Sequence, residues 1–258
     1  MPAHDLPLLI KAAQKAGQIA AGFTGPAAVK WEKPGGQGPV TEADLAVNTM
    51  LFAFLRDARP DYGWLSEETE DDTARLHTRR VFIIDPIDGT RSFIDGSKTW
   101  AHSLAVAEDG AVTAAVIYLP LRDKLYAAAL GQGATLNGTP IAASVTDMQS
   151  KVSVLAAKPV FQPANWTSGA APQVARAYRP SLAYRMALVA EGRFDAMITL
   201  RQTWEWDIAA GVLIAAEAGG KAKDRRGQDL SFNNRDPRLN GIIAGGPPVC
   251  TALLDALA

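Results

Sequence analysis

Five carboxylates stand at the ends of expected elements rather than in charge runs: Asp44, Glu67, Asp85, Asp88 and Asp207. Two of them share one short stretch. In Val81-Phe82-Ile83-Ile84-Asp85-Pro86-Ile87-Asp88-Gly89-Thr90, an apolar run of four ends at Asp85, and a second acid follows three residues later. That pattern fits a buried strand delivering both acids to its C-terminal end. Pro86 stops the strand ladder, Gly89 permits close backbone approach, and Thr90 fits a cap for the next element. Two acids on one rigid turn make half of a site for a hard cation. Without a cation they repel and one pKa rises. Nothing in the local fold calls for both, so a metal site is the expected reading of the pair.

The other three acids each carry a plainer reading beside the chemical one. Asp44 follows Thr41 by three residues, the spacing of a capping box. Glu67 and Glu68 lie in a polar stretch where one of them can simply be solvated. Asp207 follows Trp204-Glu205-Trp206 and fits an N-cap for a helix over 208–218. The three histidines, His4, His77 and His102, are scattered, which argues against a His-based zinc site or a Ser-His-Asp triad. An Asp-x-Asp-Gly-Thr phosphatase with an aspartyl nucleophile is disfavoured, because Pro86 stands where that motif needs its first acid.

Periodicity supplies the elements that must position these acids. Residues 5–22 read as a helix with Asp5 as N-cap and a stripe of Leu9, Ile10, Ala13, Ala16 and Ala20. Residues 31–40 are Gly/Pro-rich and read as a loop, a flap over a site or a plain connection. Thr41 opens a second helix to about Arg59. Residues 62–65 are extended, 70–80 charged and exposed, 81–85 a strand, and 90–93 a short helical turn. Residues 102–107, 111–119 and 124–129 read as an antiparallel meander with Asp109-Gly110 at a hairpin. Then come a strand at 152–156, a loop over 162–180, a helix at 181–191 and a strand at 194–200. An apolar helix over 207–218 stopped by Gly219-Gly220, a strand at 242–244 and a helix at 249–257 complete the chain. The layout predicts an α+β lobe over 1–145 and an α/β lobe over 146–258.

Composition narrows the class. The chain has 258 residues, 48% apolar and 21% charged, with a net charge of −1. Interspersed charge of both signs argues against a nucleic-acid coat or a membrane-surface protein. A single cysteine, Cys250, excludes an intrachain disulfide and fits a reducing, cytoplasmic setting. No signal-peptide pattern and no uninterrupted apolar run of spanning length are expected.

Three separated motifs carry a resemblance. Glu67-Glu68, Asp85-Pro86-Ile87-Asp88-Gly89-Thr90 and Trp206-Asp207-Ile208-Ala209-Ala210-Gly211, in this order, are similar to the inositol monophosphatase superfamily of magnesium-dependent, lithium-sensitive phosphatases. The likeness runs from Val40-Thr41-Glu42-Ala43-Asp44 to Glu217-Ala218-Gly219-Gly220. The resemblance implies a layered αβαβα sandwich, mixed α+β and α/β, with the site between two lobes and homodimers common. It implies two or three Mg²⁺ per site. Glu67, Asp85 and the Ile87 carbonyl would hold one, and Asp85, Asp88 and Asp207 a second. It further implies that Glu67 shares in catalysis, and that Asp44 and Thr90 act as a pair on the nucleophilic water. The N–H groups of Gly89 and Thr90 would hold the phosphate.

The flanks resemble the 3'(2'),5'-bisphosphate nucleotidase branch. Leu65-Ser66-Glu67-Glu68 and Thr203-Trp204-Glu205-Trp206-Asp207 are similar to that branch, and Leu200 stands where inositol monophosphatases carry a sugar-binding Glu. By this resemblance Arg185, Thr203 and Glu205 contact substrate, with Arg185 gripping a second phosphate; its plainer reading is a helix surface charge. Arg201-Gln202 and Arg91-Ser92-Phe93 depart from the branch pattern. The expected substrate is a small phosphorylated metabolite, adenosine 3',5'-bisphosphate, with inositol phosphate as the alternative. A non-catalytic metal-binding module is the reading from another class.

Overall fold

The computed structural model describes residues 4–23, 29–33 and 38–258. It begins with α1 (Leu6–Ala21), a two-stranded ribbon of β1 (Lys30–Glu32) and β2 (Pro39–Thr41), and α2 (Glu42–Ala58). There follow β3 (Gly63–Ser66), β4 (Arg80–Asp88), α3 (Thr90–Ile94), β5 (Ala101–Glu108), β6 (Ala111–Leu119), β7 (Lys124–Ala129), β8 (Ala134–Leu136) and β9 (Thr139–Pro140). The later part contains β10 (Ser153–Ala156), β11 (Ala175–Ala177), α4 (Leu182–Ala190), β12 (Ala196–Thr199), β13 (Thr203–Trp204) and α5 (Glu205–Glu217). It closes with β14 (Lys221–Lys223), β15 (Arg238–Leu239), β16 (Ile242–Gly245) and α6 (Pro247–Ala256).

The strands form a seven-stranded sheet in simple chain order, β3 to β9, and a five-stranded sheet ordered β11-β10-β12-β16-β14. Alternation along the central strands assigns the layers, since successive side chains point to opposite faces. On one face of the larger sheet, Phe82, Ile84, Leu104 and Val106 pack with Leu9, Ala13, Val47 and Leu51 of α1 and α2. On the other, Ile83, Ala105 and Ile117 pack with α4 and α5, which also cover Leu155, Met197 and Ala244 of the smaller sheet. The far face of that sheet, Val154, Ile198 and Ile243, is closed by Trp166 and by Val249 and Leu253 of α6. The result is an αβαβα sandwich.

The middle layer explains its own composition. Every residue of α4 is buried, and α5 carries apolar residues on all sides. A helix trapped between two sheets has no solvent face to keep polar. The two helices approach closely at Gly211, where a Cβ would fall 2.5 Å from the Met186 sulfur.

Several expectations are revised. Asp5 occupies the N-cap position of α1 without a capping bond. Its carboxylate instead accepts from Arg59 Nε and Tyr62 Oη, both at 3.0 Å, because a buried acid gains more from a cation and a phenol than from one orphan amide. The 31–40 stretch contributes strand residues at each end, and residues 34–37 lie outside the described set. Residues 70–80 are not uniformly exposed. Thr73–His77 form a 3₁₀ turn around Arg75, whose side chain is fully buried. The 162–180 loop contains β11. β4 does not end at Asp85: pairing with β5 breaks after Asp85 and resumes at Asp88. The apolar helix α5 starts at Glu205, two residues before the expected Asp207.

Candidate metal centre and substrate cleft

β3 and β4 run parallel, with Ser66 opposite Ile84, so both strands deliver their C-terminal residues to one edge. Glu67 follows β3, and its backbone N–H donates to the Ile84 carbonyl at 3.2 Å. Asp85 and Asp88 flank the break in β4. On β4 three steps separate them, whereas their partners Ser103 and Ala101 on β5 are two apart. The extra residue is a bulge, and the bulge re-aims the side chains around it. Gly89 takes φ +94° directly after it, a conformation costly for any residue with a Cβ.

Two helix N-termini meet this edge. Asp44 sits in the first turn of α2 and Asp207 in the first turn of α5, where the positive end of each helix dipole favours negative charge. Asp44 completes a capping box with Thr41; Thr41 donates to Asp44 Oδ2 through its N–H at 2.8 Å and its hydroxyl at 2.5 Å. The cap leaves Oδ1 free to face Thr90 Oγ1 at 3.4 Å. Capping and site placement are therefore one arrangement. Asp207 is not the N-cap of α5, since Trp204 holds that position; the Trp204 backbone instead hydrogen-bonds the Asp207 carboxylate.

Asp85, Asp88 and Asp207 each offer an oxygen, and these oxygens lie within 4.8 Å of one another. All three carboxyls are pushed above the usual range. For Asp85 the cause is burial, followed by the charges of Glu67, Asp88 and Asp207. For Asp207 it is burial, then Asp88 and Glu67. Burial also raises Asp88, opposed by the hydrogen bonds from Ser181 and Ala183. Ser181 Oγ and Ala183 N each donate to Asp88 Oδ2 at 2.6 Å, leaving its other oxygen for the cleft. Asp85 Oδ1 is buried without a partner. Converging acids with an orphaned oxygen fit a divalent cation and little else, since a buried acceptor otherwise carries its full desolvation cost.

Glu67 lies beside this trio but outside the 4.8 Å group, and Lys33 donates to it at 2.9 Å and to Glu68 at 2.6 Å. The turn is anchored to α2: Asn48 Nδ2 donates to the Glu68 carbonyl at 3.3 Å, and Ser66 Oγ donates to Asn48 Oδ1 at 2.7 Å. The Ile87 side chain belongs to the core, while its carbonyl accepts from Thr90 Oγ1 at 3.2 Å. Thr90 is the first residue of α3 rather than its cap. His102 Nδ1 bonds the Pro86 carbonyl. Burial drives His102 down to about 4, so the ring is neutral. A carbonyl only accepts, so the hydrogen of the neutral ring sits on Nδ1 and Nε2 carries the lone pair; Nε2 has no hydrogen-bond partner.

A cavity of about 740 Å³ opens over these groups. Glu67, Asp85, Asp88, Gly89, Thr90 and Asp207 line it, together with Arg91, Arg185, Arg201 and Arg225. Among the described residues, none of these four arginines has a carboxylate within salt-bridge distance. Arg185 is no surface charge. It is 5% exposed, donates through Nε to the Arg179 carbonyl, and stands 4.5 Å over the Tyr178 ring. Burial lowers its pKa from the usual guanidinium value.

Thr203 and Glu205 are not brought to the cleft. Thr203 is buried in the β13–β15 pair. Glu205 is fully buried and accepts from Asn233 N at 2.6 Å and from Asn234 N and Nδ2 at 2.8 and 2.7 Å. It folds a turn instead of meeting a ligand. Trp204 does line the cavity, with one face stacked on Trp206 at 4.7 Å. Lys33, Arg91, Arg225 and Ser181 were not among the site residues read from the sequence. Only Ser181, after Pro180 and before an apolar helix, carried a local signal, that of an N-cap.

A five-layer sandwich whose strand ends and helix starts converge on buried carboxylates is the architecture of a metal-dependent phosphatase. The chain belongs to the inositol monophosphatase family, whose profile matches residues 3–257. It is 32% identical over 261 residues to the Nus factor SuhB of Escherichia coli K12, covering 96% of this chain and 94% of that protein. It is 32% identical over 268 residues to an inositol-1-monophosphatase of Mesorhizobium japonicum, covering 98% and 95%. The solved Thermotoga maritima IMPase superposes with a TM-score of 0.82 at 28% identity, over 99% of this chain and 96% of that one. No helix among the described residues is long and apolar enough to cross a membrane.

Proposed function

We propose that the chain is a Mg²⁺-dependent phosphomonoesterase that removes the 3'-phosphate of adenosine 3',5'-bisphosphate. Two or three Mg²⁺ would be held by Glu67, Asp85, the Ile87 carbonyl, Asp88 and Asp207. When bound, such ions neutralise phosphate charge and make water a better nucleophile at neutral pH.

The chain's own groups take the proton. Burial raises Asp44 to about 6, against the opposing hydrogen bonds from Thr41, so it is mostly ionised at neutral pH. It then accepts from the Thr90 hydroxyl, which turns the Thr90 oxygen toward a water hydrogen. The Ile87 carbonyl is the alternative acceptor for the same hydrogen, so the hydroxyl is confined between the two. Orientation of this kind is a large part of what a site contributes.

The observation that carries the substrate is the meeting, in one cavity, of a carboxylate cluster and four guanidiniums that have no carboxylate within salt-bridge distance among the described residues. The acids account for one phosphate through their cations. The arginines remain for a second anion, to which their unused N–H groups can donate. Arg185 is already rigid, so it loses little freedom on binding. Inositol 1-phosphate is the second reading, favoured by the relative from Mesorhizobium japonicum that carries that activity in its name.

Phosphate release from adenosine 3',5'-bisphosphate and inositol 1-phosphate, each with and without Mg²⁺, decides between them. The proposal expects turnover of the bisphosphate and a KM for it raised about tenfold or more in Arg201→Ala, with inositol 1-phosphate indifferent to that change. Faster turnover of inositol 1-phosphate by both proteins would overturn the nucleotide assignment.

A further inference from the structure

His102 and Ser103 are consecutive on β5, so their side chains leave opposite faces of the sheet. Each ends on backbone that holds part of the acidic trio. Inside the bulge, Pro86 has no N–H and its carbonyl has lost the ladder. His102 Nδ1–H satisfies that carbonyl, between the two acids that the bulge separates. The imidazole cannot swing away. It is fully buried, edge-on to Trp100 at 5.4 Å and 6.4 Å from Tyr118. On the other face, Ser103 Oγ donates to the Trp206 carbonyl at 2.9 Å. Trp206 immediately precedes Asp207 in the first turn of α5.

We infer that His102 and Ser103 are positioning residues that jointly set the spacing of the metal-binding carboxylates. One strand thus fixes both halves of the trio. His102 holds the Asp85–Asp88 bulge in the shape that presents both acids, and Ser103 seats the first turn of α5 so that Asp207 comes within 4.8 Å of them. Neither touches the cation or the substrate. The inference rests on reading the trio as a metal centre.

The test is Mn²⁺ titration by calorimetry alongside thermal denaturation of the metal-free proteins. Ser103→Ala and His102→Leu remove the two ties; Ser103→Thr and His102→Asn keep a hydroxyl and an N–H donor. Loss of such outer contacts typically weakens metal affinity by about tenfold or more. Ser103→Ala and His102→Leu should bind Mn²⁺ about tenfold more weakly. Their substrate KM at saturating Mg²⁺ should stay near wild type, and the conservative pair should recover most of the affinity. Undiminished Mn²⁺ affinity in Ser103→Ala, whatever its melting temperature, would overturn the positioning role alone. Wild-type protein that takes up no Mn²⁺ would overturn the metal reading, and this inference with it. A His102→Leu protein that fails to fold leaves Ser103→Ala to decide.

Discussion

Arg75 Nη1 donates to Asn233 Oδ1 at 2.6 Å, joining residues 158 positions apart. The same guanidinium pairs with Asp71 at 2.6 and 2.8 Å and donates to the Asn234 carbonyl at 2.9 Å. Glu205 grips Asn233 and Asn234 from the other side. The network therefore ties the segment after Glu67 to the start of the helix bearing Asp207. Arg75→Met should cost about 3 kcal/mol, the low end for breaking a buried pair, since Asp71 is 32% exposed. For a chain of this length that lowers the melting temperature by about 6 to 12 °C. Calorimetric scans of the two proteins check it.

Asp88→Asn separates fold from function. It removes one charge from a trio whose members raise each other's pKa, and the amide oxygen can still accept from Ser181 and Ala183. The metal-free variant should melt at or above the wild-type temperature. Its kcat should fall at least about a hundredfold, and Mg²⁺ should no longer raise its melting temperature. A variant with near wild-type turnover would remove Asp88 from the metal centre.

Thr90→Val tests the water-orienting pair. The methyl group fills the space of the hydroxyl, while the one O–H donor that the Ile87 carbonyl and Asp44 Oδ1 share is lost. Steady-state kinetics should show kcat down about a hundredfold or more with KM little changed. The stability cost should be about 1 kcal/mol, read from denaturant midpoints.

Opposite pH trends are expected without and with metal. Asp44 is raised from 3.8 to about 6, mainly by burial. Glu68 is raised from 4.5 to about 7 by burial and by the charge of Glu67. Folded protein then binds more protons than unfolded protein, so stability falls as pH rises. The contribution is full below about pH 4 and lost as pH climbs through 6 and 7. Two groups have the contrary sign: Asp195, lowered by bonds from Ser144 and Ser153 that outweigh burial, is ionised throughout this window, and His102, held down to about 4 by burial, opposes the raised acids only up to about pH 6.5. Melting of metal-free protein should therefore weaken from about pH 5 to 8. The stabilisation by Mg²⁺ should grow over the same range, because the cation needs the acids deprotonated.

The fold was legible wherever one residue's neighbours along the chain decide its state. The apolar run of 81–84, the strand-like stretch of 102–107, the apolar stripe of α1 and the all-round apolar α5 each point to their element. The αβαβα order rests on the resemblance. The sequence was silent where a distant partner decides. Arg75 lies in a run of charged residues, and nothing local shows that Asn233 will bury it. Thr203-Trp204-Glu205 reads as a contact motif, yet β15 and the 233–234 turn claim Thr203 and Glu205.

What the sequence determined by itself is the inventory: acids placed where apolar runs end, a proline that interrupts a strand, a glycine free to take positive φ. These are local properties of covalent geometry and burial, and spacing along the chain records them. Only the tertiary structure decided that Asp207 stands beside Asp85, that Asp44 both caps a helix and faces Thr90, and that four arginines enter the same cavity without carboxylate partners. Those facts depend on how parallel strand ends and helix starts meet across layers. Coulombic and hydrogen-bond energies act over a few ångströms of space, not over residues of chain.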